Sequence, residues 1–389
     1  MNYDFDTHPP RRGTFSEKWD LYAEDILPMW VADMDFVSPE PVIRALRQRV
    51  EHGIFGYPEE TKGWKPVQEA IIEWLARYHN WNVQPEELVF VPGVIVGFHL
   101  ACHLLSDERP GVLVQTPVYP PIWKAAQTTG KLSQETQLLQ SPDGTYVVDW
   151  DAFAAAMNEQ TGLFILCNPH NPVGRVYRRE ELERMAQLCL EREVLICSDE
   201  IHCDLTYPGY DHLPIASLDA EIARRTITLM SPSKTFNLPG LQLSFAIIQD
   251  AELRRRYRQA GKGLISWVNL LARVAALAAY REGQEWLEQL LAYLQGNRAY
   301  LDVFLKSEMP ELRMALPEAT YLAWIDCREA GIPGNPYEFF LEKARLALVD
   351  GAAFGRGGEG FVRLNFGCPR ATLAEGLDRI KQALNSNRV

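Results

Sequence analysis

Between about residues 88 and 250, short apolar runs alternate with amphipathic stretches, and this rhythm most narrows what the chain can fold into. Runs at 88–91, 112–114, 163–167, 194–197, 226–230 and 243–248 have the length of strands. Residues 180–192 read as a helix between two of them. Strands joined through helices run mainly parallel, and such a sheet needs cover on both faces. Residues 252–306 are rich in Ala, Leu, Arg, Glu and Gln, which predicts long helices. Alternation resumes with strands expected at 322–326 and 361–366 and helices at 337–345 and 372–384. On the N-terminal side, Pro9, Pro10, Pro28, Pro39 and Pro41 predict an extended arm. Helices are expected at 40–52, capped by Ser38, and at 64–78, with Val67, Ile71, Leu75 and Tyr78 on one face. At 389 residues the chain exceeds one typical core.

A parallel sheet presents its functional groups at strand ends. Asp199 closes the run 194–199, and Lys234 follows the run 226–230 within Ser231-Pro232-Ser233-Lys234. A lysine is ordinarily a solvated surface residue. This one has two serines before it, a strand leading in and the turn Asn237-Leu238-Pro239-Gly240 after it. A lysine for a Schiff base, hydroxyls for a phosphate and an acid for a pyridine nitrogen are what pyridoxal phosphate (PLP) requires. Loss of hydration and a nearby cation would favour the neutral amine that such chemistry needs.

Other segments add to this pair. Asn168-Pro169-His170-Asn171-Pro172-Val173-Gly174 has the composition of a plain turn, and its functional reading puts Asn171 on a cofactor's phenolate oxygen. Pro92-Gly93-Val94-Ile95-Val96-Gly97 opens an apolar helix whose first N–H groups suit a phosphate, although it is neither a dinucleotide fingerprint nor a Walker loop. Tyr119, in Thr116-Pro117-Val118-Tyr119, either stacks on a flat ring or packs in its turn. Arg363 stands inside the apolar run 361–366 and must find an anion, through a structural ion pair or through a bidentate contact to a ligand carboxylate. Residues 355–360, rich in glycine, lead into a strand and read as a loop.

The formal net charge of −12 argues against nucleic acid and anionic membrane as main partners. Residues 1–19 are polar, without the apolar core of a secretory signal, and no apolar run would span a bilayer, so a cytoplasmic protein is expected. The seven cysteines include no C-x-x-C pair and read as buried reduced thiols. The histidines show no H-E-x-x-H spacing, so no metal is expected.

Taken in order, Phe55-Gly56-Tyr57-Pro58, the glycine helix start, Tyr119, Asn-Pro-His-Asn-Pro, Ser-Asp-Glu-Ile-His, Ser-Pro-Ser-Lys and Arg363 resemble a fold-type I PLP enzyme of the class I/II aminotransferase superfamily. Within it the chain is most similar to the MalY/PatB subfamily of cystathionine β-lyase-like C–S lyases, through the segment 27–36 and through His202, where typical aminotransferases carry a tyrosine. Gln242 departs from the arginine that many aminotransferases use for the phosphate.

The resemblance implies an α/β fold with a mainly parallel central sheet in a large three-layer α/β/α domain, plus a smaller α+β domain. The division implied is an arm and part of the small domain at 1–50, the PLP-binding domain at 51–288 and the small domain at 289–389. It implies Lys234 as the Schiff-base lysine and Asp199 as the partner of the pyridine nitrogen. Asn171 and His202 would lie at the phenolate oxygen, with Tyr119 stacked on the ring. Ser231, Ser233 and the backbone at Gly93, Val94 and Ile95 would hold the phosphate. Tyr57 would reach the phosphate in the other subunit of a homodimer with shared sites. Arg363 would bind the substrate carboxylate, and Trp30, Ala32 and Asp33 would line the entrance. The reaction implied is β-elimination from cystathionine or another S-substituted cysteine. An aminotransferase and a PLP-binding regulatory protein are the alternatives.

Overall fold

A computed structural model describes residues 2–59 and 62–387. The outer limits of the expected domains, residues 1 and 388–389, lie outside the described residues. Seven strands form the central sheet: β1 (Leu88–Val91), β2 (Gly111–Thr116), β3 (Leu132–Gln137), β4 (Thr161–Cys167), β5 (Leu195–Asp199), β6 (Thr226–Met230) and β7 (Ser244–Ile247). Their order is β1-β7-β6-β5-β4-β2-β3. Strands β2 to β6 run parallel, while β7 is antiparallel to both its neighbours.

The sheet is covered on both faces because its strands are apolar on both. In β4, Leu163, Ile165 and Cys167 pack into one core with the helix Val94–Cys102. Phe164 and Leu166 point the other way, into a core with Met185 and Cys189 of the helix Arg179–Glu191. This is the period-2 alternation of a strand with two buried faces. Register then fixes the site. Cys167 lies opposite Asp199, and Asp199 opposite Leu229, so β4, β5 and β6 finish level. The segments carrying Asn171, His202 and Lys234 therefore leave the sheet along one edge, where ligands of open α/β sheets bind.

A second, antiparallel sheet holds β8 (Leu322–Asp326), β9 (Val349–Asp350) and β10 (Phe361–Asn365), in the order β8-β10-β9. The expected helices near its ends are Pro336–Lys343 and Arg370–Asn387. The stretch 252–306, expected as long helices, forms three: Ala251–Ala260, Leu270–Glu282 and Gln284–Glu308. The last of these runs unbroken through residues 288 and 289. Strand β3 was not expected. Its sequence Leu-Ser-Gln-Glu-Thr-Gln is polar because it is an edge strand paired only to β2. The helix Glu40–Glu51 is preceded by Pro39 at its cap, not Ser38, whose Oγ instead donates to the Asn237 carbonyl at 3.0 Å. Among the described residues no helix is long and apolar enough to cross a membrane.

The glycine-rich segment before β10 is a loop, as expected, and it joins the two sheets. Phe354 is fully buried and packs edge-on against Trp324 at 5.2 Å. Its carbonyl accepts from the Val118 amide at 2.9 Å, and the Ala353 carbonyl accepts from Trp123 Nε1 at 2.9 Å. The loop closes on itself where Gly351 and Gly358 touch backbone to backbone, leaving no room for a Cβ on either. Gly358→Ala is expected to destabilise the protein by about 1–3 kcal/mol through overpacking. The check is the denaturant midpoint, which should fall at unchanged slope. An unchanged midpoint would contradict the close approach.

Candidate active site

A cavity of about 590 Å³ opens where β4, β5 and β6 end, and its walls come from three distant parts of the chain. The loops after the sheet supply Tyr119, Asn171, Asp199, His202 and Lys234, β10 supplies Arg363, and the N-terminal arm supplies Trp30 and Ala32. The volume lies within the range of small-molecule sites.

Lys234 sits in the one-turn helix Pro232–Thr235 immediately after β6. Its Nζ donates to the Ala32 carbonyl at 2.6 Å. Tyr321 Oη donates to the same carbonyl at 2.8 Å. Burial lowers the Lys234 pKa to about 8; the Arg363 cation also lowers it, while Asp33 and Asp199 pull the other way. Asp199 ends β5 and is buried, and its carboxylate accepts the Ile201 amide at 3.2 Å. Burial raises its pKa to about 7, with Glu200 adding to the rise and the Ile201 hydrogen bond and Lys234 opposing it. His202 is buried with Nδ1 unpartnered, and desolvation lowers its pKa to about 3, so the ring is neutral.

Arg363 is 5% exposed on β10 and meets neutral oxygens. Its guanidinium donates to Asn171 Oδ1 at 3.0 Å and to the Trp30 carbonyl at 3.0 Å, lies 5.1 Å from the Phe354 ring centroid, and leaves Nε unpartnered. Burial lowers its pKa to about 10, which leaves it charged at neutral pH. A buried cation without a carboxylate partner among the described residues is costly unless an anion arrives. Among the described residues no structural ion pair accounts for Arg363.

The remaining expected residues divide. The Tyr119 amide donates to the Asn171 carbonyl at 3.0 Å, which sets these two loops side by side at the cavity. Gly93, Val94 and Ile95 line the cavity at the start of the helix Val94–Cys102, whose first amides have no partner within the helix. Ser233 and Gln242 line it too. Ser231 does not. Its hydroxyl accepts from the Ser233 amide at 3.1 Å and lies 2.6 Å from the Leu243 carbonyl, so it caps the lysine's turn from behind. Asp33 is also off the cavity wall. Its carboxylate pairs with Arg11 at 2.7 Å and lies 3.8 Å from Lys18 Nζ. Tyr57 is 85% exposed and packs against Trp267 at 4.8 Å, away from this chain's own cavity.

Sequence reasoning missed Tyr321, Asn365 and Glu17. Asn365 Nδ2 donates to the Val31 and Asp33 carbonyls, each at 2.6 Å, and so holds the arm that carries Ala32. It stands two residues from Arg363 and shares its strand face, a spacing that could have flagged it. One cluster brings possible metal ligands together, His79, Cys203 and Asp204. The Asp204 oxygens there accept from Trp74 at 2.9 Å, His79 at 2.8 Å and Thr235 at 2.7 Å. Its place is structural, and it braces the residue next to Lys234.

The family described as aminotransferase class I and II matches residues 24–380. Cystathionine beta-lyase PatB of Bacillus subtilis is 40% identical, over 98% of this chain and 100% of that protein. Protein MalY of Escherichia coli is 34% identical, over 99% and 100%. A solved PLP-bound C-S lyase from Staphylococcus hominis is 35% identical and superposes with a TM-score of 0.92, over 99% of this chain and 98% of that one. The chain belongs to the aminotransferase class I and II family.

Proposed function

We propose that this protein is a PLP-dependent carbon–sulfur β-lyase, acting on L-cystathionine or related S-substituted cysteines to release a thiol, pyruvate and ammonia. The observation that carries this reading is one cavity holding both a lysine amine with its pKa lowered to about 8 and a buried arginine without an acidic partner. The full-length likeness to PatB supports the lyase over its transaminating relatives.

The residues present fit PLP. Asp199 is a buried acid that only a cation would relieve, as a protonated pyridine nitrogen does. Asn171 has its Oδ1 taken by Arg363, and its Nδ2, which has no hydrogen-bond partner among the described residues, could donate to a phenolate oxygen. Tyr119 offers a ring face, and the Val94 and Ile95 amides with Ser233 offer donors to a phosphate. When bound, PLP supplies a carbonyl that condenses with amines and a ring that draws electrons from the substrate Cα.

The chain's own residues do the rest. Arg363 grips the α-carboxylate and fixes which substituent of Cα faces Lys234. Lys234 Nζ, its pKa lowered to about 8 by burial, takes the Cα proton as general base in its unprotonated form. The electron pair left at Cα forms the Cα–Cβ double bond as the Cβ–S bond breaks, and the thiolate leaves. Hydrolysis of the three-carbon enamine gives pyruvate and ammonia. Neutral His202 adds no competing charge beside Asn171. An aminotransferase would use the same groups, but it would need a 2-oxo acid acceptor before any product accumulated.

We further infer a cytoplasmic homodimer with shared sites, in which residues 51–288 bind the cofactor and residues 289–389, with the arm, form the smaller domain. Ile54, Phe55, Tyr57, Leu264 and Trp267 are exposed apolar side chains, a concentration that monomeric surfaces rarely carry. A second copy covering them would bring Tyr57 to the partner's phosphate. The seven cysteines are buried and unpaired, which suits a reducing compartment.

Lys234→Ala is expected to abolish pyruvate release from cystathionine in an acceptor-free assay. Pyruvate from that variant would sink the assignment. Sedimentation of the PLP-loaded protein should give twice the chain mass; a monomer with full activity would refute the shared site.

A further inference from the structure

The cavity has one charged group that the reaction leaves unused. Glu17 lines it from the exposed side, on the short helix Glu17–Asp20, and has no ion-pair or side-chain hydrogen-bond partner among the described residues. Its position is fixed by its neighbours. Lys18 is buried with Nζ 2.7 Å from Asp35, and Trp19 Nε1 donates to the same carboxylate at 2.8 Å. The Lys18 carbonyl accepts from Trp30 Nε1 at 3.1 Å, which ties Glu17 to a wall of the cavity. The Asp20 carboxylate accepts from the Gly13 and Ser16 amides at 2.8 and 3.0 Å, pinning the far end of the turn. Tyr119, across the cavity, has its phenol pKa raised by burial first and by Glu17 among the nearby charges. The Glu17 backbone is thus held at the exposed rim of the cavity, on the path from its floor to solvent.

The charge inventory makes that position selective. Among the described residues, the charged side chains lining the cavity are Glu17, Asp199, Lys234 and Arg363. On the lyase reading, Arg363 takes the α-carboxylate, Lys234 acts at Cα, and Asp199 serves the cofactor. No cation lining the cavity among this chain's described residues remains for a second carboxylate on the leaving thiol. The rest of the wall is largely apolar, with Trp30, Ile95 and Phe354 among its side chains. We propose that Glu17 is a specificity-determining residue that selects S-substituted cysteines whose leaving thiol carries a cationic amine and disfavours those carrying only a carboxylate there. The inference rests on the lyase reading for its substrate class. Cystathionine, which carries both groups on its thiol half, would be held through its distal amine.

The test uses the PLP-loaded protein and two readouts. Calorimetric binding compares L-lysine, L-norleucine and L-2-aminoadipate, side chains of similar length ending in an ammonium, a methyl and a carboxylate, none with a β leaving group. Acceptor-free pyruvate release compares S-(2-aminoethyl)-, S-propyl- and S-(carboxymethyl)-L-cysteine. Lysine should bind about three- to fivefold more tightly than norleucine, the size expected of one partly solvated ion pair, and 2-aminoadipate more weakly than norleucine. The kcat/KM values should follow the same order. Glu17→Gln should bring lysine level with norleucine while leaving norleucine within about twofold, and salt should erode the wild-type preference. Equal binding of lysine and norleucine by the wild type, or an equal loss for all three ligands in Glu17→Gln, would overturn the proposal. Pyruvate from none of the three cysteines would refute the lyase reading instead, and the binding order would still judge Glu17.

Discussion

The hydrogen bond from Lys234 Nζ to the Ala32 carbonyl is the contact on which the rest of the site depends. It joins a lysine delivered by the central sheet to an arm from the other end of the chain. Asn365 holds that arm from β10 through the carbonyls either side of Ala32, and Tyr321 Oη shares the Ala32 oxygen with the lysine. Asn237, three residues past Lys234, closes the circuit through the Met34 amide and carbonyl, each at 2.9 Å. Three regions that fold far apart in sequence thus meet at one neutral acceptor. A carbonyl there orients the amine without adding the negative charge that would keep it protonated.

Burial sets the electrostatics around that contact. Desolvation is the largest influence on Lys234, Asp199, His202 and Arg363, and it opposes the charged form of each. His202 yields and stays neutral. Arg363 keeps its charge and has no counter-ion among the described residues, while Asp199 and Lys234 sit near the balance between their two forms. Such a site is relieved by ligands that bring the complementary charges, a cationic ring nitrogen for Asp199 and a carboxylate for Arg363. The strain of burying these groups is therefore turned into binding and, at Lys234, into a usable base.

Much of this was legible in the sequence because parallel strands buried on both faces leave continuous apolar runs. The ends of β4, β5 and β6 could be read directly, and with them Asn171, Asp199 and Lys234. Strand β3 escaped because an edge strand paired on one side need not be apolar. The break between residues 260 and 270 escaped because its side chains, Leu264 and Trp267 among them, are as apolar as a helix face, yet they stand exposed. Ser231 was read from its place before Lys234 and from the family resemblance, and Asp33 from the resemblance alone. Their hydroxyl and carboxylate are taken up by a cap and by an ion-pair network, which only the three-dimensional arrangement reveals. Glu17 and Tyr321 reach the site by tertiary folding, with no local pattern to mark them.

The account turns on burial beneath the arm lowering the Lys234 pKa, so that the neutral, reactive amine comes within reach. The most direct measurement is the pH dependence of the rate at which cofactor-free protein takes up PLP, followed by absorbance. Only the unprotonated amine condenses with a carbonyl, so the rate should fall about tenfold per pH unit on the acid side and level off above a midpoint near the lowered pKa of about 8. A midpoint near 10.5, the ordinary value for a solvated lysine, would contradict it.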